Sequence, residues 1–163
     1  MASGDVTQMK QLKLSTGFSL VELLTVVAII GILAAIAFPS FLSLIHSQRL
    51  KNASFEMFAS LMVARSEAIK RNGDVTITPV SGSWQAGWKI TSPDGTLLKN
   101  HAALVNVVVS GAPATLVYNR TGRLSVAASP SFQFDIDPAD SSYIRCISIE
   151  LSGLPRTTKG ACT

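Results

Sequence analysis

An apolar run from Phe18 to Phe38, with Glu22 as its only ionisable side chain, constrains this chain more than any other feature. As a helix, its 21 residues extend roughly 31 Å, the thickness of a bilayer's hydrocarbon core. No second run of that length follows, so the reading is a single N-terminal anchor with the remainder on one side of a membrane, and a polytopic transporter is excluded. Composition agrees: 15% of the 163 residues are charged, against about a quarter in a typical soluble chain. The length suits one ordinary domain beside the anchor and excludes a multidomain enzyme. The net charge of +4 admits an anionic partner without specifying one.

The small residues after the apolar run lead straight into Pro39 and Phe41 without the A-x-A pattern of a secretory cleavage site, so the segment is expected to be retained. Before it lies a polar stretch, Met1 to Gly17, carrying Lys10 and Lys13. The junction Gly17-Phe18-Ser19-Leu20-Val21-Glu22-Leu23-Leu24, followed by an apolar helix with Pro39, resembles the class III signal of type IV pilins and type II secretion pseudopilins. That resemblance implies a leader over residues 1–17, cleavage by a prepilin peptidase between Gly17 and Phe18, and N-methylation of Phe18. It also places Glu22 at the family's glutamate, fifth in the mature chain, which offsets the terminal amine of a neighbouring subunit during assembly.

Physics supplies a second reading of Glu22. A charged side chain at the bilayer centre costs about 2.5–3.5 kcal/mol, but four residues into a helix it can snorkel to the interface, where the helix dipole favours it. Lys10 and Lys13 on one flank balance Arg49 and Lys51 on the other, so flanking charge does not orient the segment. The implied cytoplasm-facing peptidase, together with a cysteine pair suited to an oxidising compartment, places the C-terminal part in the periplasm. The expected location is the inner membrane as a single-pass protein, then a pilus or pseudopilus.

Past Pro39 the helical pattern resumes. Leu50, Met57, Leu61, Ala64 and Ala68 recur at spacings built from three and four, widened by Phe58, Met62 and Ile69, so one face must pack. Asn72-Gly73 reads as a C-terminal cap after the basic pair Lys70 and Arg71. Pro39 reads either as a kink or as the end of the membrane helix. Gly31 and Ala35 read either as a close-approach pair or as ordinary small residues of a membrane helix.

Beyond Gly73 short β-rich runs alternate with turn residues: 75–78, 84–91, 96–99, 104–109, 115–118, 123–126, 132–137 and 143–151. Ser92-Pro93-Asp94-Gly95 and Arg120-Thr121-Gly122 are turn signals, and connections this short demand antiparallel pairing. In the last run the odd positions, Tyr143 to Leu151, are expected to face the core. A further resemblance, to GspH/FimT-type minor pseudopilins, rests on Ser83-Trp84-Gln85-Ala86-Gly87-Trp88, the Pro93-Asp94-Gly95 turn, Asn119-Arg120-Thr121-Gly122-Arg123, and Cys146 followed by Ile147 to Gly153. The tryptophans read as core or rim residues of the sheet. The fold expected is α+β and type IV pilin-like, a long N-terminal helix packed on a C-terminal antiparallel sheet. Its parts are the leader 1–17, a transmembrane and assembly half 18–45, an amphipathic half 46–73 and a β-rich domain 74–163.

Cys146 and Cys162 would close a loop of about 15 residues, a constraint of roughly 3 kcal/mol in the chain-entropy estimate. A bond between them is expected, with two buried thiols as the alternative. No HExxH, GxSxG or P-loop string occurs, and neither His46 nor His101 has a metal-like partner at local spacing. The spacing of Asp135, Asp137 and Asp140 fits no EF-hand. No enzyme, cofactor or metal is therefore expected. The remaining candidate is the basic loop Gly153 to Gly160. The resemblance to DNA-capturing relatives is partial, because their G-R-x-R motif is matched by Gly153 and Arg156 while Leu154 stands at the first arginine. Arg156 and Lys159, with Arg145 or Arg123, would meet phosphates independently of sequence; a merely soluble loop is the other reading.

The function expected is a minor pilin or pseudopilin, a structural subunit for assembly or priming of a type IV pilus or type II secretion pseudopilus. Its partners would be the prepilin peptidase, other major and minor pilins or pseudopilins, and inner-membrane lipid. Glu22 and Pro39 are the candidate assembly residues. The alternative is a DNA-binding minor pilin acting in uptake for natural transformation, with DNA as partner.

Overall fold

The structure, a computed structural model, describes residues 17–126, 128–136 and 143–163. The expected leader up to Thr16, and Asp137 and Asp140, lie outside the described residues. The chain divides into two compact units, Met1–Ser40 and Phe41–Thr163. One helix, α1 (Leu20–Arg71), is continuous through Pro39.

In the first unit Ser19 begins α1: its hydroxyl accepts the Glu22 N–H at 3.2 Å and its carbonyl accepts the Leu23 N–H at 3.1 Å. This satisfies one of the donors that a helix start leaves unpaired. Every side chain from Gly17 to Phe38 is exposed. By length and composition α1 is long and apolar enough to cross a membrane.

In the second unit α1 behaves oppositely. Leu50, Ala53, Met57, Leu61, Ala64 and Ala68 are all buried and join the hydrophobic core, as a stripe at three- and four-residue spacing requires. The helix ends in a Schellman motif. The Gly73 N–H reaches the Ala68 carbonyl at 3.2 Å and the Asn72 N–H reaches Ile69 at 3.2 Å, with Asn72 at φ 50, a conformation asparagine tolerates.

Among the described residues eight strands follow: β1 (Val75–Val80), β2 (Ser83–Thr91), β3 (Leu97–His101), β4 (Val107–Ser110), β5 (Leu116–Tyr118), β6 (Ser131–Ile136), β7 (Ile144–Ile149) and β8 (Pro155–Lys159). They form two four-stranded sheets, ordered β3-β2-β1-β5 and β4-β6-β7-β8, and every pairing is antiparallel. Ser81 and Gly82, both at positive φ, make the two-residue turn between β1 and β2.

Four local expectations change. Residues 123–126 form no strand, because the Asn119 side-chain carbonyl takes the N–H groups of Thr121 and Arg123 and leaves only the bridge Tyr118↔Leu124. The expected run 104–109 starts at Val107, after Asn106 turns at φ 54. The basic loop 153–160 contains a strand, β8, paired to β7 with Arg145 opposite Lys159 and Ile147 opposite Thr157. On β7, Ile147 and Ile149 are buried as expected, whereas Leu151 falls past the strand and is exposed.

Candidate functional site

At the junction Gly17 and Phe18 precede the helix, and the Phe18 side chain is exposed. Glu22 lies in the first turn, where the helix dipole favours an acidic group. Among the described residues its carboxylate has no ion-pair partner. The side chains that follow along α1 to Phe38 have no protein cover either. The junction and the apolar half therefore present one uninterrupted hydrophobic surface with a single acid near its start.

The second unit is fastened at several points that the sequence motifs mark. Trp88 is fully buried and Trp84 nearly so; the Trp84 indole N–H donates to the Pro113 carbonyl at 2.7 Å and its ring meets Phe132 edge-on. Gly87 lies between them at φ 103, and a Cβ there would fall 2.2 Å from the His101 carbonyl oxygen, so the motif's glycine is required for the approach of the β3 end. The Trp-x-x-Gly-Trp element is thus packing. Gly122 and Gly153 meet back to back: a Cβ on Gly153 would lie 2.0 Å from the Gly122 oxygen. The Arg65 Nε–H donates to that same oxygen at 3.0 Å, while the Tyr118 hydroxyl donates to the Gly153 carbonyl at 3.2 Å. Burial raises the Tyr118 phenol above its ordinary range, against a smaller opposing pull from Arg65. This knot ties α1 to both turns, and Arg65 and Tyr118 carried no motif that announced it.

Cys146 and Cys162 form a disulfide with Cα atoms 5.1 Å apart, and the Cys162 N–H donates to the Gln133 side chain at 3.3 Å. The tail is thereby held across β7 and β6. The four cations considered for DNA do not converge. Arg145 and Lys159 are cross-strand neighbours. Arg156, on the opposite face of β8, has its Nε 2.7 Å from a Glu150 carboxylate oxygen. Arg123 sits in the 119–123 turn. Sequence reasoning also missed the pairing of His101 with Glu56: Nε2 lies 3.1 Å from the carboxylate and the imidazole stacks on Trp88 with ring centroids 3.9 Å apart. No local pattern could have joined a helix glutamate to a histidine at the far end of β3. Among the described residues no group of His, Cys, Asp or Glu is arranged to hold a metal.

Residues 12–38 match the prokaryotic N-terminal methylation motif, and residues 53–153 match the family of type II transport protein GspH. Among solved structures the chain is similar to the type IV minor pilin FimU of Pseudomonas aeruginosa, with a TM-score of 0.59 and 22% identity, covering 70% of this chain and 90% of that one. It is also similar to the minor pseudopilin EpsH from the type 2 secretion system of Vibrio cholerae, with a TM-score of 0.55 and 14% identity, covering 68% and 97%. At such identities the likeness establishes the fold. No curated protein matches the sequence. Since one family accounts for more than half of the chain and the methylation motif for the apolar junction before it, the chain belongs to the GspH family of minor pilins and pseudopilins, structural subunits of type IV pili and type II secretion systems.

Proposed function

We propose that this chain is a minor pilin or pseudopilin held in the inner membrane by the apolar half of α1, with Phe41–Thr163 in the periplasm, and then drawn into a type IV pilus or a type II secretion pseudopilus. The leader 1–17 is removed between Gly17 and Phe18 by a prepilin peptidase, and Phe18 is N-methylated. The observation that carries the reading is the contrast along α1: between Leu50 and Ala68 it buries an apolar stripe, whereas from Leu20 to Phe38 every side chain is exposed. Such a face is stable only against lipid or against the same face of neighbouring subunits. In this reading Glu22, near the helix start and without an ion-pair partner among the described residues, answers the amine of a neighbour's Phe18, and Pro39, at the outer end of the same segment, is the second assembly residue.

Mass analysis of the N-terminus from membranes with active prepilin peptidase tests the proposal, the expected result being a chain that starts at N-methylated Phe18. A Met1 start would overturn it. Glu22→Ala is expected to leave membrane insertion intact and abolish incorporation into fibres.

DNA capture for uptake has less behind it. Of its four cations only Arg145 and Lys159 share a face, and Arg156 is already neutralised by Glu150. Gel retardation by the full chain in detergent, lost on changing Arg145 and Lys159 to Ala and declining with salt, would be its signature; no retardation at low salt removes it.

A further inference from the structure

The last strand leaves one side of its sheet open. β8 ends the order β4-β6-β7-β8, and the Gly160 N–H to Ile144 carbonyl bond of 2.9 Å sets the alternation of the β7–β8 ladder. Since directly opposed residues alternate between bonded and non-bonded pairs, Thr158 and Arg156 direct their backbone groups to β7, and Thr157 and Lys159 direct theirs outward. Among the described residues those outward N–H and C=O groups make no hydrogen bond. Arg156 to Lys159 are all exposed.

Beside this edge runs a groove of about 280 Å³ lined by Lys51, Ser54, Phe55, Phe58, Arg145 and Thr157. Phe55 is 67% exposed, an unusual placement for a phenylalanine on the helix half that packs. Among the described residues the charged side chains that line the groove, Lys51 and Arg145, are positive, and a smaller recess adjoining it through Arg145 adds Lys159. Among the described residues none of these three cations has an ion-pair partner. Arg145 lies opposite Lys159 across the β7–β8 ladder, and Thr157, two positions before Lys159 on the same face of β8, lines the groove together with Phe55 and Phe58.

We propose that this edge and groove receive an extended segment of a neighbouring filament subunit, which adds a strand to β8 and carries an acidic residue two positions from an apolar one. The inference rests on the reading of the chain as a filament subunit. Alternate side chains of an added strand project to the same face, roughly 6.6 Å apart, so an acid–x–apolar pair would set its carboxylate against Lys51, Arg145 and Lys159 and its apolar side chain between Phe55 and Phe58. The backbone edge selects the class of partner. Thr157 and Lys159 each offer a donor and an acceptor, which another peptide strand satisfies reciprocally, whereas a phosphodiester offers acceptors alone and would face the outward carbonyls without a proton to give.

The test places the photoreactive residue p-benzoylphenylalanine at Phe55, at Thr157 and, as a control on another sheet edge, at Leu97. The full chain is expressed in cells that assemble the filament, and the adducted peptides are sequenced. The expected result is the same acid–x–apolar segment of a pilin-family subunit at positions 55 and 157, at about ten times the yield at 97. Thr157→Pro removes an outward N–H without touching the ladder to β7 and should lower the yield at 55 about tenfold, as should Arg145→Glu, the scale of one lost charge-assisted contact. The Cys146–Cys162 bond in each variant reports that the domain has folded. Adducts with nucleic acid, adducts with a protein outside the filament, equal yield at Leu97, or no adduct in folded variants would overturn the inference. N-terminal analysis of the same samples separates it from the wider reading: a chain processed at Phe18 that gives no adduct refutes only the docking surface, whereas an unprocessed chain refutes the filament subunit itself.

Discussion

The two halves of α1 are written in similar apolar residues and end in opposite environments. Between Leu20 and Phe38 the apolar side chains are exposed on all sides of the helix; between Leu50 and Ala68 one stripe of them, Leu50, Ala53, Met57, Leu61, Ala64 and Ala68, is buried. The difference is one of arrangement. A helix apolar all round cannot complete a soluble domain, because no single partner covers every face, and it suits lipid or a bundle of equals. A helix apolar along one stripe completes a domain and leaves its other side to water.

The sharpest way to break the comparison is to make the same kind of change in each half. Leu61→Ala removes a fully buried side chain and is expected to destabilise the domain by about 3–4 kcal/mol, within the range for such truncations. Ile30→Ala, in the exposed half, should leave the domain's unfolding unchanged and reduce incorporation into fibres instead. Urea unfolding of the full chain in detergent, followed through tryptophan fluorescence, measures the first effect. Equal sensitivity at both positions would defeat the distinction.

A second test asks whether the tail belongs to the domain's stability or only decorates it. Cys162→Ser opens a cross-link with a sequence separation of 16 and is expected to cost roughly 3 kcal/mol. Gel mobility before and after reduction identifies the bond, and the same urea titration gives the loss. The apolar half of α1 carries no cysteine and should be indifferent.

The sequence announced these regions unequally, for physical reasons. The stripe from Leu50 to Ala68 is visible because burial of one helix face imposes a period that no other structure shares. The Ser92–Thr96 turn is visible because proline and glycine restrict the backbone locally. β8 read as a loop because an edge strand buries little and has no need of apolar alternation; Pro155, Arg156 and Lys159 are residues that guard an edge. Residues 123–126 read as a strand because the competing side-chain bonds of Asn119 carry no hydrophobic signature. At the junction, Gly17, Phe18 and Glu22 were legible as a string, but the exposure that gives the string its meaning is a property of the folded chain. The Glu56–His101 pair and the Arg65–Tyr118 knot join residues distant in sequence, and only the fold brings them together.

A smaller effect sharpens what burial costs within the packed half. The Ser60 hydroxyl is fully buried and has no hydrogen-bond partner among the described residues, so the fold bears its desolvation without return. Ser60→Ala should therefore raise stability, by about 1 kcal/mol, and a melting temperature that falls would show that the hydroxyl has a use the geometry does not display.

The smallest expected effect is electrostatic and confined to one turn. The Asp94 carboxylate accepts hydrogen bonds from the Ser92 hydroxyl, the Thr96 N–H and the Thr96 hydroxyl, and these lower its pKa from 3.8 to about 2, the Ser92 contact contributing most. Because the folded value is the lower one, protons bind the unfolded chain more readily, so the contribution is complete above 3.8 and is lost as pH falls toward about 2. The group is solvent-exposed and screened, which keeps the effect small. Asp94→Asn should flatten the acid limb of the domain's stability curve between those values while leaving the curve near neutrality almost unchanged. The helical signal of the apolar half, read in detergent over the same pH range, should not follow Asp94 at all; if both halves of α1 lost structure together as this one carboxylate was protonated, they would be a single cooperative unit and the contrast between them would reduce to surface composition.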